Sequence, residues 1–333
     1  MNPYIGNLVA SEFLRSTLTS GHAAHAYLLT GPPRVGKRTL ATRHAAALIC
    51  QKPLEHRLCG ACRSCLQVAQ DRHPDVRITE LAEGKKNISI DQIRQLEHAA
   101  ALRPYEAEVK LLLIIDAHTL STEASNALLK TLEEPPEDTT LILTAADASQ
   151  VLPTIASRCQ EIPLRPVPAA EIEAALEVLG ADAARATLLA RLSGGRPGWA
   201  ISALTDEASL GRRETQLESL EELLGRVPAA RLPAAAAITD AAAARDVLDL
   251  WQTWWRDALL VAEGCGDLIA NVDRVESLRR AQRGGASTVA CLQAIRCLQE
   301  TRDQIEANAN VRLAMESLLL DLPVIADLVG VPA

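Results

Sequence analysis

Ala26-Tyr27-Leu28-Leu29-Thr30-Gly31-Pro32-Pro33-Arg34-Val35-Gly36-Lys37-Arg38-Thr39-Leu40 reads as an apolar strand that runs into a Gly-x4-Gly-Lys loop and then into a helix. That layout is a phosphate-binding loop. Gly31 and Gly36 permit backbone angles that turn successive N–H groups towards one point, and Lys37 adds positive charge beside a helix N-terminus that already favours anions. Its surroundings separate the loop from a chance turn: a strand precedes it, the helix-forming stretch Arg38 to Leu48 follows, and a second strand ending in an acid lies at 109–116. One position departs from the pattern. The residue after the lysine should be Ser or Thr, whose hydroxyl ligates the magnesium of a bound nucleotide, and here it is Arg38. Thr39 does not fill the gap, because one residue further along a helix points about 100° away.

The second strand, Val109 to Ile115 followed by Asp116, is continuously apolar, as expected for a buried parallel strand carrying a carboxylate to the nucleotide edge of a sheet. In hydrolytic ATPases of the AAA+ kind the next residue is an acid that polarises the attacking water. Here it is Ala117, which cannot do so, and His118 is displaced by one residue. Asp116 and Lys37 therefore remain while two parts of a hydrolytic site are missing.

Between these motifs stand Cys50, Cys59, Cys62 and Cys65. A disulfide pair is one reading. A reducing compartment disfavours it, and the Cys-x2-Cys-x2-Cys spacing lets three thiolates converge on one ion with Cys50 as the fourth, so structural zinc is the expectation. Four thiolates close the coordination shell, leaving no place for a reactive water.

The remaining sequence sets bounds. At 333 residues and 48% hydrophobic, the chain can bury more than one core, and two or three domains are expected. With aromatics at 2% and Ala and Leu dominant, mostly helix with one sheet is expected. No membrane span or signal peptide is read, which predicts a cytoplasmic protein. A net charge of -8 argues against a chain that grips nucleic acid alone with a broad basic face. Residues 1–25 read as a helix with Val9, Phe13, Leu14 and Leu18 near helical spacing, ending at Ser20-Gly21-His22; His22 and His25 are given no role. His73 to Glu80 reads as a strand, Lys85 and Lys86 as a solvated turn, and Ile88 to Leu96 as a helix capped by Ser89 or Asp91. Strand 140–144 precedes Leu152 to Ile162. The Pro-rich joint Arg165-Pro166-Val167-Pro168 marks a domain boundary.

Three segments carry a family resemblance. Asn126-Ala-Leu-Leu-Lys-Thr-Leu-Glu-Glu-Pro-Pro136, Ser157-Arg158-Cys159 and the degenerate phosphate loop together resemble the clamp-loader subunits of bacterial DNA polymerase III, and the four-cysteine insertion agrees. The resemblance implies an α/β AAA+ P-loop domain over 1–165, a parallel sheet with flanking helices and a zinc-binding insertion at 50–65. A small helical lid over 166–206 and an all-α collar over 207–333 would complete the chain. It implies that Arg158 is an arginine finger presented to a neighbouring subunit's ATP, and that Thr144 falls at the sensor position. A second sensor arginine would stand where this chain has Gly198, with Arg196 two residues earlier.

Lacking both the Ser/Thr after Lys37 and the acidic pair at 116–117, the chain is most similar to the non-hydrolysing members of that family. The resemblance thus implies a stator without ATPase or polymerase activity of its own, within the DNA-directed DNA polymerase III holoenzyme. Its implied partners are the gamma/tau and delta subunits of a hetero-pentameric ring, with the sliding clamp and primer-template DNA reached through the complex. Its implied cofactor is structural Zn2+, and ATP binding at Gly31, Gly36, Lys37, Arg38, Thr39, Asp116 and Thr144 is left open. The alternative is a catalytically active AAA+ ATPase subunit; a zinc-dependent DNA-binding module fits the acidic net charge poorly.

In the expected collar, Leu217 to Leu224, Asp246 to Leu260 and Asn308 to Leu320 read as amphipathic helices. Trp251, Trp254 and Trp255 are spaced for one packed helix face rather than for stacking on bases, and Cys265, Cys291 and Cys297 read as buried thiols.

Overall fold

The computed structural model describes residues 3–20, 23–307 and 309–328; the expected helix end at Gly21-His22 and the helix start at Asn308 lie outside the described residues. The chain divides into two compact units, one of residues 1–175 with 195–198, the other of 176–194 with 199–333.

The first unit is built on five parallel strands, β1 (Ala26–Thr30), β2 (Val76–Thr79), β3 (Lys110–Ile114), β4 (Thr139–Ala145) and β5 (Gln160–Pro163), in the order β2-β3-β4-β1-β5. Alternation along the strands divides the core in two. Tyr27, Leu29, Leu111, Leu113 and Ile142 point to one face, against α1 (Leu8–Ser20), α2 (Lys37–Leu48) and α3 (Arg63–Ala69). Ala26, Leu28, Leu112, Ile114, Leu141 and Leu143 point to the other, against α4 (Ile90–Ala101), α5 (Thr122–Glu133) and α6 (Pro153–Ala156). Strands buried on both faces account for the unbroken apolar runs in the sequence.

Local chemistry sets the helix starts. Ser89, not Asp91, caps α4 by accepting the Gln92 N–H, and the Gln92 side chain returns a bond to the Ser89 N–H. Ser121 caps α5 by accepting the Ala124 N–H. The helix expected near the start of the chain is present as α1, whose buried stripe is Ala10, Leu14 and Thr17, while Phe13 and Val9, the latter at 83%, are exposed. The small Ala10 and the hydroxyl-bonded Thr17 fit close to the sheet, and the larger side chains one position off fall outside the contact.

The chain continues through α7 (Ala169–Val178), α8 (Ala183–Leu192) and α9 (Pro197–Thr205) into α10 (Glu207–Gly225), α11 (Leu232–Ala235), α12 (Ala241–Ala262), α13 (Val275–Arg283), α14 (Thr288–Glu306) and α15 (Val311–Asp321). The second unit has a core of its own, in which Trp251, Trp254 and Trp255 are buried and the last two meet edge to face at 5.1 Å. Burial removes these indoles from any base-stacking role and agrees with the packed-face reading. Of the three thiols expected to be buried, Cys291 is, Cys297 is half-buried and Cys265 is exposed. Cys265 sits in the turn just after α12, beyond the reach of the helix's apolar face.

Charged groups are also buried here, each with partners. Arg231 has no exposed surface, and its guanidinium donates to the carbonyls of Leu224, Arg226, Leu319, Leu322 and Pro323. These lie at the ends of α10 and α15, where helical carbonyls lack partners in the chain. Asp257, also fully buried, accepts the backbone N–H groups of Ala270 and Asn271 and the Asn271 side-chain amide. Asn271 and Asp273 in turn receive Arg213, which meets Asp273 through both terminal nitrogens.

No helix among the described residues is long and apolar enough to cross a membrane.

Candidate functional site

The phosphate loop lies between β1 and α2, at the carboxyl edge of the sheet, where β1, β3 and β4 end side by side. Gly31 closes against the chain leaving β4 and β5: its N–H donates to Ala146 O, just past β4, at 3.0 Å, and a Cβ here would stand 2.4 Å from Leu164 O, just past β5. At Gly36 the constraint is the backbone, which is left-handed at φ 110° immediately before α2 begins. The expected turn chemistry is therefore present at both glycines.

Lys37 is 7% exposed and folds back over the loop, donating from Nζ to Gly31 O at 2.5 Å and Pro32 O at 3.0 Å. Burial holds its ammonium below the usual lysine range, and the negative charge of Asp116 offsets part of that effect. The loop thus keeps the cation at its centre by satisfying it with its own carbonyls.

Arg38 is turned towards acids. It pairs with Glu80, just past β2, and with Asp71 at 3.2 Å, just past α3. A guanidinium only donates, so nothing at this position can ligate a cation. Thr39, the next residue on α2, is half-buried. Asp116 adopts a left-handed backbone at φ 54°, and its N–H donates to Thr144 Oγ1 at 2.8 Å. Thr144 is 1% exposed, and its hydroxyl is engaged in fixing the end of β3 against β4. Ala117 is buried where a hydrolytic site needs an acid. Gly198 donates its N–H to Arg34 O at 3.0 Å, and a Cβ there would approach the same oxygen to 2.9 Å. Any side chain at 198 must displace the phosphate loop.

Cys50 follows α2, Cys59 lies in the loop beyond it, Cys62 caps α3 and Cys65 lies within α3. Gly60, at φ 68°, makes the tight turn that lets the Cys62 N–H donate to Cys59 Sγ at 3.3 Å, and the Cys65 N–H donates to Cys62 Sγ at 3.5 Å. All four sulfurs lie within 4.8 Å of one another, with Cys50 to Cys59 at 3.7 Å and Cys50 to Cys62 at 3.9 Å. A tetrahedron with metal–sulfur bonds of about 2.3 Å has edges of about 3.8 Å, whereas a disulfide needs about 2.05 Å. All four cysteines are free. Backbone N–H groups of Ala61 and Cys62 hold the Cys59 thiol down to about 6, favouring the thiolate. The cluster can hold a metal ion such as zinc, closed on all four sides. α2 joins this cluster to the phosphate loop, with Lys37 at one end and Cys50 just past the other, and the Arg38–Asp71 pair spans the same two regions.

Arg158 follows α6 and stands two residues before the edge strand β5. Its side chain is 35% exposed. One terminal nitrogen meets Glu133 Oε1 at 2.8 Å, at the last residue of α5, and the other donates to Thr154 O at 3.0 Å. The pairing with Glu133 was not read from the sequence; the signal available was an acid closing the helix of the same motif. Arg231 and Asp257 were likewise not singled out, although a lone charge inside an Ala- and Leu-rich stretch marks a candidate buried ion.

Residues 6–168 match the family model described as DNA polymerase III, delta subunit. A DNA polymerase III subunit delta' from Pseudomonas aeruginosa is 44% identical over 178 residues, covering 52% of this chain and 54% of the relative. The subunit delta' of Escherichia coli is 33% identical over 212 residues, 63% of each chain. A DNA polymerase III subunit gamma/tau from Mycobacterium bovis is 32% identical over 210 residues, 61% of this chain and 36% of the relative. The chain thus spans less than two thirds of the length of each of these relatives.

Proposed function

We propose, from the match of residues 6–168 to the DNA polymerase III delta-subunit family model, that the chain serves as the delta-prime subunit of the clamp loader. In this reading it is a non-hydrolysing stator. It assembles with gamma/tau and delta subunits into a hetero-pentameric ring that loads the sliding clamp on primed DNA, and it lends Arg158 to the ATP site of a neighbour. The proposed division of labour is a P-loop domain at 1–165, a lid at 166–206 and a collar at 207–333 through which the ring forms.

The observation that carries the reading is Arg38. At the position of the magnesium-ligating hydroxyl the chain places a guanidinium held by Glu80 and Asp71, while Ala117 removes the water-polarising acid. Arg158, by contrast, sits beside the edge strand with a third of its side chain exposed, where it can reach a phosphoryl group in trans. Lys37, Gly31, Gly36, Thr39, Asp116 and Thr144 would then be a retained frame that orders the loop. Mixing the purified chain with gamma/tau and delta subunits is expected to give a stoichiometric complex on size exclusion. Failure to co-elute at micromolar concentration would remove the basis for a ring subunit.

The metal in this reading is structural zinc on Cys50, Cys59, Cys62 and Cys65, which supplies cross-linking and no chemistry at a substrate. Protein purified without chelator is expected to contain one zinc per chain by elemental analysis, and Cys62→Ser to lose it. Zinc-free protein from the same preparation would refute this.

A further inference from the structure

We propose that Glu133 is a positioning residue for Arg158, aiming the guanidinium at the neighbouring subunit's ATP. The proposal rests on the arginine-finger reading of Arg158 and adds to it a second residue, from a different element. Arg158 is anchored at two points close by, with a longer third contact from the same terminal nitrogen that meets Thr154 to the Ser157 hydroxyl at 3.5 Å. The preceding helix α6 contributes the Thr154 carbonyl, which accepts from one terminal nitrogen at 3.0 Å, and the end of α5 contributes the Glu133 carboxylate, 2.8 Å from the other. Up to three of the five N–H donors are thereby engaged, leaving at least two to meet phosphoryl oxygens.

The pair is not there for stability. Glu133 is 51% exposed and Arg158 35% exposed, and ion pairs in such surroundings contribute little to folding. What two anchors from two elements do accomplish is to select one orientation of a long side chain that otherwise samples many. A group acting on a transition state loses much of its effect when displaced by about 1 Å, so the orientation has a kinetic consequence even where it has no thermodynamic one.

The test uses the reconstituted clamp loader with Glu133→Ala, Arg158→Ala and the double variant in this chain, each checked for co-elution with the ring. Glu133→Ala is expected to lower kcat for ATP at the affected site about five-fold, the cost of immobilising one long side chain anew, with KM for ATP unchanged. In the Arg158→Ala background the same substitution is expected to change nothing further, because its effect passes through the guanidinium. An unchanged or raised kcat in Glu133→Ala, or a loss that adds to that of Arg158→Ala, overturns the positioning role and leaves the finger intact. Full activity in Arg158→Ala overturns the finger itself, and the positioning role with it.

Discussion

In a reconstituted clamp loader, Arg158→Ala in this chain is expected to leave folding and assembly intact and to depress ATP hydrolysis strongly. The guanidinium is one-third exposed beside an edge strand, so its removal disturbs no core. It would stabilise charge that develops only in the transition state of a neighbour's phosphoryl transfer, and such interactions appear in kcat rather than in binding. Arginine fingers elsewhere contribute about 10³ to 10⁵ in rate, and a ring with several ATP sites dilutes that to the share of the affected site. Lys37→Ala is expected to do far less, since Lys37 is satisfied within its own loop by Gly31 and Pro32. Hydrolysis and clamp loading at the unmodified rate with Arg158→Ala would make the Ser157-Arg158-Cys159 motif purely structural.

The second large effect falls in the helical unit. Arg231→Met is expected to destabilise that unit by about 3 kcal/mol or more, because Met fills much of the space but donates nothing. Four carbonyls, those of Arg226, Leu319, Leu322 and Pro323, lose their donor together, while Leu224 keeps the Ile325 N–H, and a buried unsatisfied acceptor costs about 1–3 kcal/mol before relaxation and water entry reduce the sum. Trp251, Trp254 and Trp255 lie in the core of the same unit, so tryptophan fluorescence in urea reports on it. A midpoint unchanged from that of the original chain would show that the arginine is dispensable.

The phosphate loop was legible because its requirements are local: glycines at the two special backbone positions, a lysine at the helix start and a strand before it. The cysteine cluster was legible for the same reason, since spacing alone brings Cys59, Cys62 and Cys65 round one tight turn at Gly60. Arg38 was legible as an absence, a missing hydroxyl, but not as a presence. Its partners Asp71 and Glu80 are more than thirty residues away and meet it only once the sheet has formed. Glu133 and Arg158 are brought together by packing of α5 and α6 that no periodicity encodes. In α1 the helical spacing of Val9, Phe13, Leu14 and Leu18 was legible but not which side would be buried, which is that of Ala10, Leu14 and Thr17. Arg231 escaped because its partners are backbone carbonyls, which have no signature in sequence.

The central claim is that the chain frames a nucleotide loop without hydrolysing nucleotide, and steady-state ATP turnover by the purified chain alone, with magnesium, tests it most directly. With Arg38 where a magnesium ligand belongs and Ala117 where an acid belongs, no turnover above background is predicted. Turnover at the rate of ordinary AAA+ enzymes, abolished by Lys37→Ala, would contradict the stator account and establish a self-sufficient ATPase.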